Sequence, residues 1–262
     1  MKPEFKSQSF STRLTSMLKV DFRRMFTMPL FYLMSGICFA IPVLTLVMTT
    51  MFMGESADPA AETAMVTFTN VWQAIGSTSD AGMSMDLTTM SNINMMYFLA
   101  AVLVCLFVAE DFRSGYAKNL FTVRSKKSDY VISKTAVGFV SCVGLLLCYF
   151  AGAMIGGAIA GLSFDLGTVS VGGIIMCMLA KIFLMGVFVS IYLIVSVAGK
   201  HRAWLSILGS LMAGMLLYMM IPMMTPLDAT FIHAGMCLAG GVLFSIGLGA
   251  VSNLILNKTS LV

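Results

Sequence analysis

Long apolar runs divide this chain, each near or above the ~20 residues an α-helix needs to cross about 30 Å of hydrocarbon. Six are read, at about 29–53, 90–109, 135–161, 170–198, 204–223 and 233–256. Backbone groups find no water in lipid, so such runs must close their hydrogen bonds internally, as helices. The short alternating segments of a membrane β-barrel are missing. The expected fold is all-α: a polytopic membrane protein of six transmembrane helices, with residues 1–262 as a single transmembrane domain. Ahead of the first run the pattern changes. Phe10, Leu14, Met17, Leu18, Phe22 and Met25 recur at helical spacing, with Arg13, Lys19, Arg23 and Arg24 as the polar side. This predicts an interfacial amphipathic helix over 10–28, basic groups toward anionic headgroups, with Pro29 marking the turn into the first span.

Within the spans, Gly152, Gly156 and Ala160 form one row of small residues at four-residue spacing, and Gly241, Ser245 and Gly249 form another. Such rows let helix backbones approach closely, which is a packing signal and not a substrate signal. Pro42 and Pro222 are expected to kink or end their helices. Lys181 lies well inside the fourth run. A lysine there either lines a polar substrate pathway or belongs to a span that starts later, its long stem reaching the interface.

Charge gives the orientation. Only 11% of the chain is charged against 58% apolar, too little to cover a water-facing surface. Basic residues gather before the first run, in the loop at 110–134 (Arg113, Lys118, Arg124, Lys126, Lys127, Lys134), and at Lys200, Arg202 and Lys258. Of the 16 in the chain, only Lys181 falls elsewhere. The alternate segments, at about 54–89, 162–169 and 224–232, carry acids alone. The positive-inside rule therefore puts both termini and the 110–134 loop in the cytoplasm and the 54–89 loop outside. The expected location is the plasma membrane, multi-pass. The lipid bilayer is one partner, and nothing points to nucleic acid.

Little else in the sequence carries chemistry. All six cysteines sit in apolar runs without metal-ligand spacing, and His201 and His233 have no partners in sequence, so no metal site is expected. No hydrolase motif appears. The 25 methionines read as adaptable apolar filler ahead of copper ligands. Glu110 and Asp111 read as salt-bridging or facing headgroup water. In the outer loop, Phe68, Val71, Trp72 and Ile75 suggest a short amphipathic helix, an exit cap or an interfacial anchor.

The 110–134 loop mixes its basic residues with Tyr116, Leu120, Phe121, Val123 and Tyr130, more apolar surface than a plain connection needs. Leu120, Phe121 and Val123 could form a short helix that docks a cytosolic partner, or dip into the interface. The order Glu110, Gly115, Leu120, Arg124, Tyr130, Lys134 resembles the stretch after the second span of ABC-2 type transporter permeases. The family's proline before the arginine is replaced by Val123. The resemblance implies half of a dimeric exporter, paired with a second copy of itself or a homologous permease and docked to a separate cytosolic ATPase subunit that holds ATP and Mg2+. It implies that the interfacial helix (Phe10, Arg13, Leu14, Met17, Arg23) and a coupling segment (Gly115, Leu120, Phe121, Arg124) meet that subunit. No GxxxxGK(S/T) occurs in the chain, so it is not expected to be an enzyme by itself or to hold a cofactor. The expected function is export of a hydrophobic or amphipathic peptide, drug or lipid-linked compound. The alternatives are a secondary transporter or channel working without an ATPase, and a membrane immunity or scaffold protein.

Overall fold

A computed structural model of the chain describes residues 9–55, 68–78, 92–123, 127–167, 169–200 and 202–258. Arg124, His201 and most of the 54–89 loop lie outside the described residues. Every regular element within them is helical, apart from an isolated bridge between Asn70 and Ser163. The helices are α1 (Phe10–Thr27), α2 (Pro29–Glu55), α3 (Met96–Arg113), α4 (Tyr116–Val123), α5 (Ser128–Ile159), α6 (Val171–Gly199), α7 (Ala203–Tyr218), α8 (Ile221–Met224) and α9 (Phe231–Lys258). Five stretches are long and apolar enough to cross a membrane: Pro29–Met51, Ile93–Arg113, Ser128–Ile159, Val171–Gly199 and Phe231–Lys258. The chain is a multi-pass, all-α membrane protein.

The run read at 204–223 is divided. α7 stops at Tyr218, and Pro222 opens the short α8, where a missing N–H at a helix start costs nothing. Pro42, by contrast, sits inside α2 without ending it.

α9 lies along α6 and α2 along α5, while α3 packs between α6 and α7. The rows of small residues sit at two of these contacts. A Cβ added at Gly156 would come within 2.7 Å of Val43 Cα, and one at Gly152 would overlap the Phe39 carbonyl. At Gly241 it would stand 2.8 Å from the Phe183 carbonyl oxygen, and one turn on Ser245 and Ser190 share a hydrogen bond of 2.9 Å. Outward-facing side chains on α2, α7 and α9 are almost all large and apolar, among them Leu33, Leu44, Leu216, Leu243 and Ile246. Such a surface is not stable against water.

The helix ends sort to two faces. At one face, Met17, Val108, Tyr130, Val131, Leu193, Val197 and Leu256 form a small cluster joining α1, α3, α5, α6 and α9. Lys127 Nζ also donates to the Leu256 carbonyl there, at 2.6 Å. The first and last described helices thus begin and end at the same face. At the opposite face, Trp72 Nε1 donates to the Phe164 carbonyl at 3.2 Å and Asn70 Nδ2 to that of Asp165 at 2.6 Å. The expected amphipathic helix here is only a 3-10 turn, Val71–Ala74, and Phe68, Val71 and Ile75 are buried in the bundle.

Candidate functional site

The face that gathers the basic residues also holds the most concentrated polar chemistry inside the bundle. α1 brings it there by an irregular stripe: Met17, Asp21 and Met25 are its buried residues, so a carboxylate sits in the middle of the apolar side. Lys134, on α5, is the hub that answers it. Its Nζ lies 2.9 Å from Asp21 Oδ1, 2.7 Å from Asp111 Oδ2 on α3, and 3.8 Å from the Phe107 ring centroid. Asp21 and Asp111 are 0% exposed and Lys134 1%.

Two further hydrogen bonds reach these carboxylates. Ser133 Oγ donates to Asp21 Oδ2 at 2.6 Å, and the Tyr130 hydroxyl donates to Asp111 Oδ2 at 2.9 Å. Arg24 lies 2.6 Å from Asp111 Oδ1 and 4.0 Å from the Tyr116 ring centroid on α4. Nearer the start of α1, Arg13 Nε donates to Asp129 Oδ2 at 3.1 Å. Burial disfavours the Arg24 charge, but Asp111, by charge and hydrogen bond, with Tyr116 and Asp21, holds its pKa above the ordinary value. Burial also pushes the Tyr116 hydroxyl up, reinforced by Asp21 and opposed by Arg24. The result is a charge-matched knot joining α1, α3, α4 and α5, without a metal cluster among the described residues.

The expected contact residues fall around this knot in an instructive way. Arg13 and Arg24 turn inward to carboxylates; Arg23 and Lys19 stay exposed, as does Phe10, while Met17 is buried and Leu14 half-buried. Gly115 takes φ +74° between α3 and α4, a backbone state that favours glycine. Leu120 and Phe121 are half-buried against the bundle's own cluster, with the Phe121 ring edge-on to Tyr130 at 5.3 Å. They anchor α4 to its own chain. The side of α4 left exposed is Lys118, Asn119 and Thr122. Glu110 is exposed, whereas its neighbour Asp111 is buried.

Lys181 forms a separate polar site near the other face, ~15 Å along α6 from its start. It is 0% exposed, and its Nζ donates to Asn94 Oδ1 at 2.7 Å and Thr225 Oγ1 at 2.9 Å. The Tyr97 hydroxyl donates to the Lys181 carbonyl at 2.9 Å, and the Tyr192 hydroxyl to that of Tyr97 at 3.0 Å. The stem therefore does not reach out to the interface. It pins the turn before α3 and the end of α8 to α6.

A groove of about 690 Å³ runs between α5 and α9, floored by α6 at Phe183 and Gly186. Ile132, Phe139, Leu238 and Val242 give it apolar walls, and Ser128 and Asn253 close its basic end. Lys181 does not line it.

The sequence carried a signal for the knot in an acid at the centre of the α1 apolar stripe and in the adjacent acids at 110 and 111. A scan of protein-family models, a search of curated proteins and a search of solved structures each return no match to this chain.

Proposed function

We propose that this chain is the membrane subunit of an ATP-driven exporter, moving a hydrophobic or amphipathic molecule out of the cell with energy from a separate ATPase chain. The observation that carries the reading is the knot at Lys134. A subunit driven from outside the membrane needs elements at one face that receive a push and a stiff connection from them into the spans. α1 and α4 are such elements, and Asp21, Arg24, Tyr116, Asp111 and Lys134 join both to the inner ends of α3 and α5. In this reading ATP and Mg2+ are held by the partner, in keeping with the lack of a phosphate-binding loop motif in this sequence.

In this reading the chain crosses the plasma membrane six times, with both termini in the cytoplasm. α6 ends at the basic face and α9 starts at the opposite one, which supports a crossing by the segment between them. α7 alone is ~24 Å long, short of the about 30 Å of hydrocarbon, and α8 supplies the remainder. Two copies, or this chain and a homologous one, would enclose the path.

The test is co-purification of the full chain with a soluble ATPase encoded in the neighbouring reading frame. Lys118→Glu with Thr122→Glu, on the exposed side of α4, is expected to abolish association while leaving the permease folded. Leu120→Asp would not discriminate, because Leu120 also holds α4 in place. If no ATPase associates, or if association survives the double substitution on α4, the reading fails. A secondary transporter is the second reading, favoured by one observation: Lys181 is an ionisable group at membrane depth. It predicts transport in vesicles without any ATPase, lost in Lys181→Met.

A further inference from the structure

We propose that residues 68–78 form a gate at the end of the bundle opposite the basic face, closed over Lys181 and opening as a unit to let water reach that ammonium. The segment is a stopper with two unlike sides. Phe68, Val71, Ala74 and Ile75 are buried, while Gln73 stays exposed and Trp72 half-buried. The Val71 side chain fills the space over Gly157 on α5, where an added Cβ would overlap it. A Cβ at Gly76 would stand 3.8 Å from Cys177 Sγ and 3.9 Å from the Thr225 carbonyl oxygen. Cys177 lies one turn before Lys181 on α6, and Thr225 Oγ1 is one of the two acceptors of Lys181 Nζ. The segment is thus the layer between Lys181 and this end of the bundle.

What lies beneath the segment sets the balance. Lys134 faces two carboxylates, whereas Lys181 has Asn94 Oδ1 at 2.7 Å, Thr225 Oγ1 at 2.9 Å and no carboxylate paired with it among the described residues. Neutral oxygens replace only part of the hydration an ammonium loses on burial, so the closed gate carries a penalty that entering water relieves. Against it stand the apolar contacts of Val71 and Ile75, both 0% exposed, which contribute a free energy of the same order. The polar ties add little. Val71 N donates to the Ser163 carbonyl at 3.1 Å, and Leu227 N donates to that of Ser77 at 2.8 Å. Asn70 Nδ2 and Trp72 Nε1 donate to the Asp165 and Phe164 carbonyls, both at exposed positions. All four bonds reach the loops after α5 and α8 and none reaches a helix, and such bonds exchange for water with small net change. Closure is therefore a small difference between opposed terms, and the segment opens far more readily than the helices around it.

The gate does not depend on an ATPase, and it is tested by hydrogen–deuterium exchange of the full chain in nanodiscs. Backbone amides of 68–78 are expected to exchange at least about a hundredfold faster than those of α6 around Cys177. That difference alone also fits a frayed loop, so the deciding variants act on Lys181. Lys181→Gln keeps N–H groups for Asn94 and Thr225 and removes the charge. It is expected to slow exchange of 68–78 and of Leu227 about tenfold, with α2 and α5 as the internal reference. Lys181→Arg keeps the charge and is expected to leave exchange of the segment at least as fast as in the wild type. Exchange indifferent to Lys181→Gln overturns the proposal. Faster exchange in Lys181→Gln overturns it as well, since Lys181 would then clamp the segment in place. Equal slowing in Lys181→Arg, or protection of 68–78 as deep as that of α6, has the same consequence.

Discussion

At the scale of single residues, Lys134 carries the most consequence. Two buried carboxylates depend on it, and a buried charge left without its partner costs about 3–5 kcal/mol. Lys134→Met is therefore expected to lower the thermal midpoint of the detergent-solubilised protein sharply. Asp21→Leu combined with Lys134→Met should recover most of that loss, because Asp111 keeps Arg24 and Tyr130 while Asp21's charge is gone. A single variant that melts with the wild type would show that the knot holds nothing together. These pairings were hidden in the sequence for a physical reason. Asp21 and Lys134 are separated by 113 positions, and periodicity relates only residues that share one helix. The stripe of α1 could be read, but not that its acid had an answering base on α5.

At the scale of elements, hydrophobic runs marked most helices, and their errors have a common origin. α5 starts at Ser128, not near 135, because Asp129 and Lys134 read as loop charges by hydropathy. Their partners on α1 and α3 neutralise them inside the bundle, so the helix continues through them. α3 likewise runs on to Arg113, past the buried Asp111. The small-residue rows were legible as packing faces, though which helix each met was not. That contact can be tested. Gly156→Leu must push α5 off the Val43 backbone and is expected to cost about 1–3 kcal/mol or more, while Gly247→Leu, which meets nothing within 4 Å, should be near neutral. Trypsin resistance of the folded protein would separate the two. Equal resistance would mean that α2 and α5 do not touch as described.

At the scale of the whole molecule, the charge map and the structure converge on one asymmetry, with Arg13, Arg24, Lys127 and Lys134 all at the face where α9 ends. The proposed orientation makes a plain prediction for intact cells. A membrane-impermeant maleimide should label Asp165→Cys from outside and Lys118→Cys only after permeabilisation; the reverse pattern would invert the topology. Native thiols should stay silent, since Cys38, Cys105, Cys142, Cys177 and Cys237 are buried and Cys148 is half-buried. The placement of Asp21 also limits how this protein can move. Were α1 to peel away from the bundle, the Asp21 carboxylate would lose its ammonium and Lys134 would be left buried with one carboxylate fewer, so separation is opposed by the loss of a buried ion pair. Ion pairs thus tie α1 to α5 through Lys134 and to α3 through Arg24 and Asp111. α3 spans the distance between the two polar sites: its inner end carries Asp111 in the knot, and the 3-10 turn that leads into its other end carries Asn94, which holds Lys181, so a single helix and one turn link them.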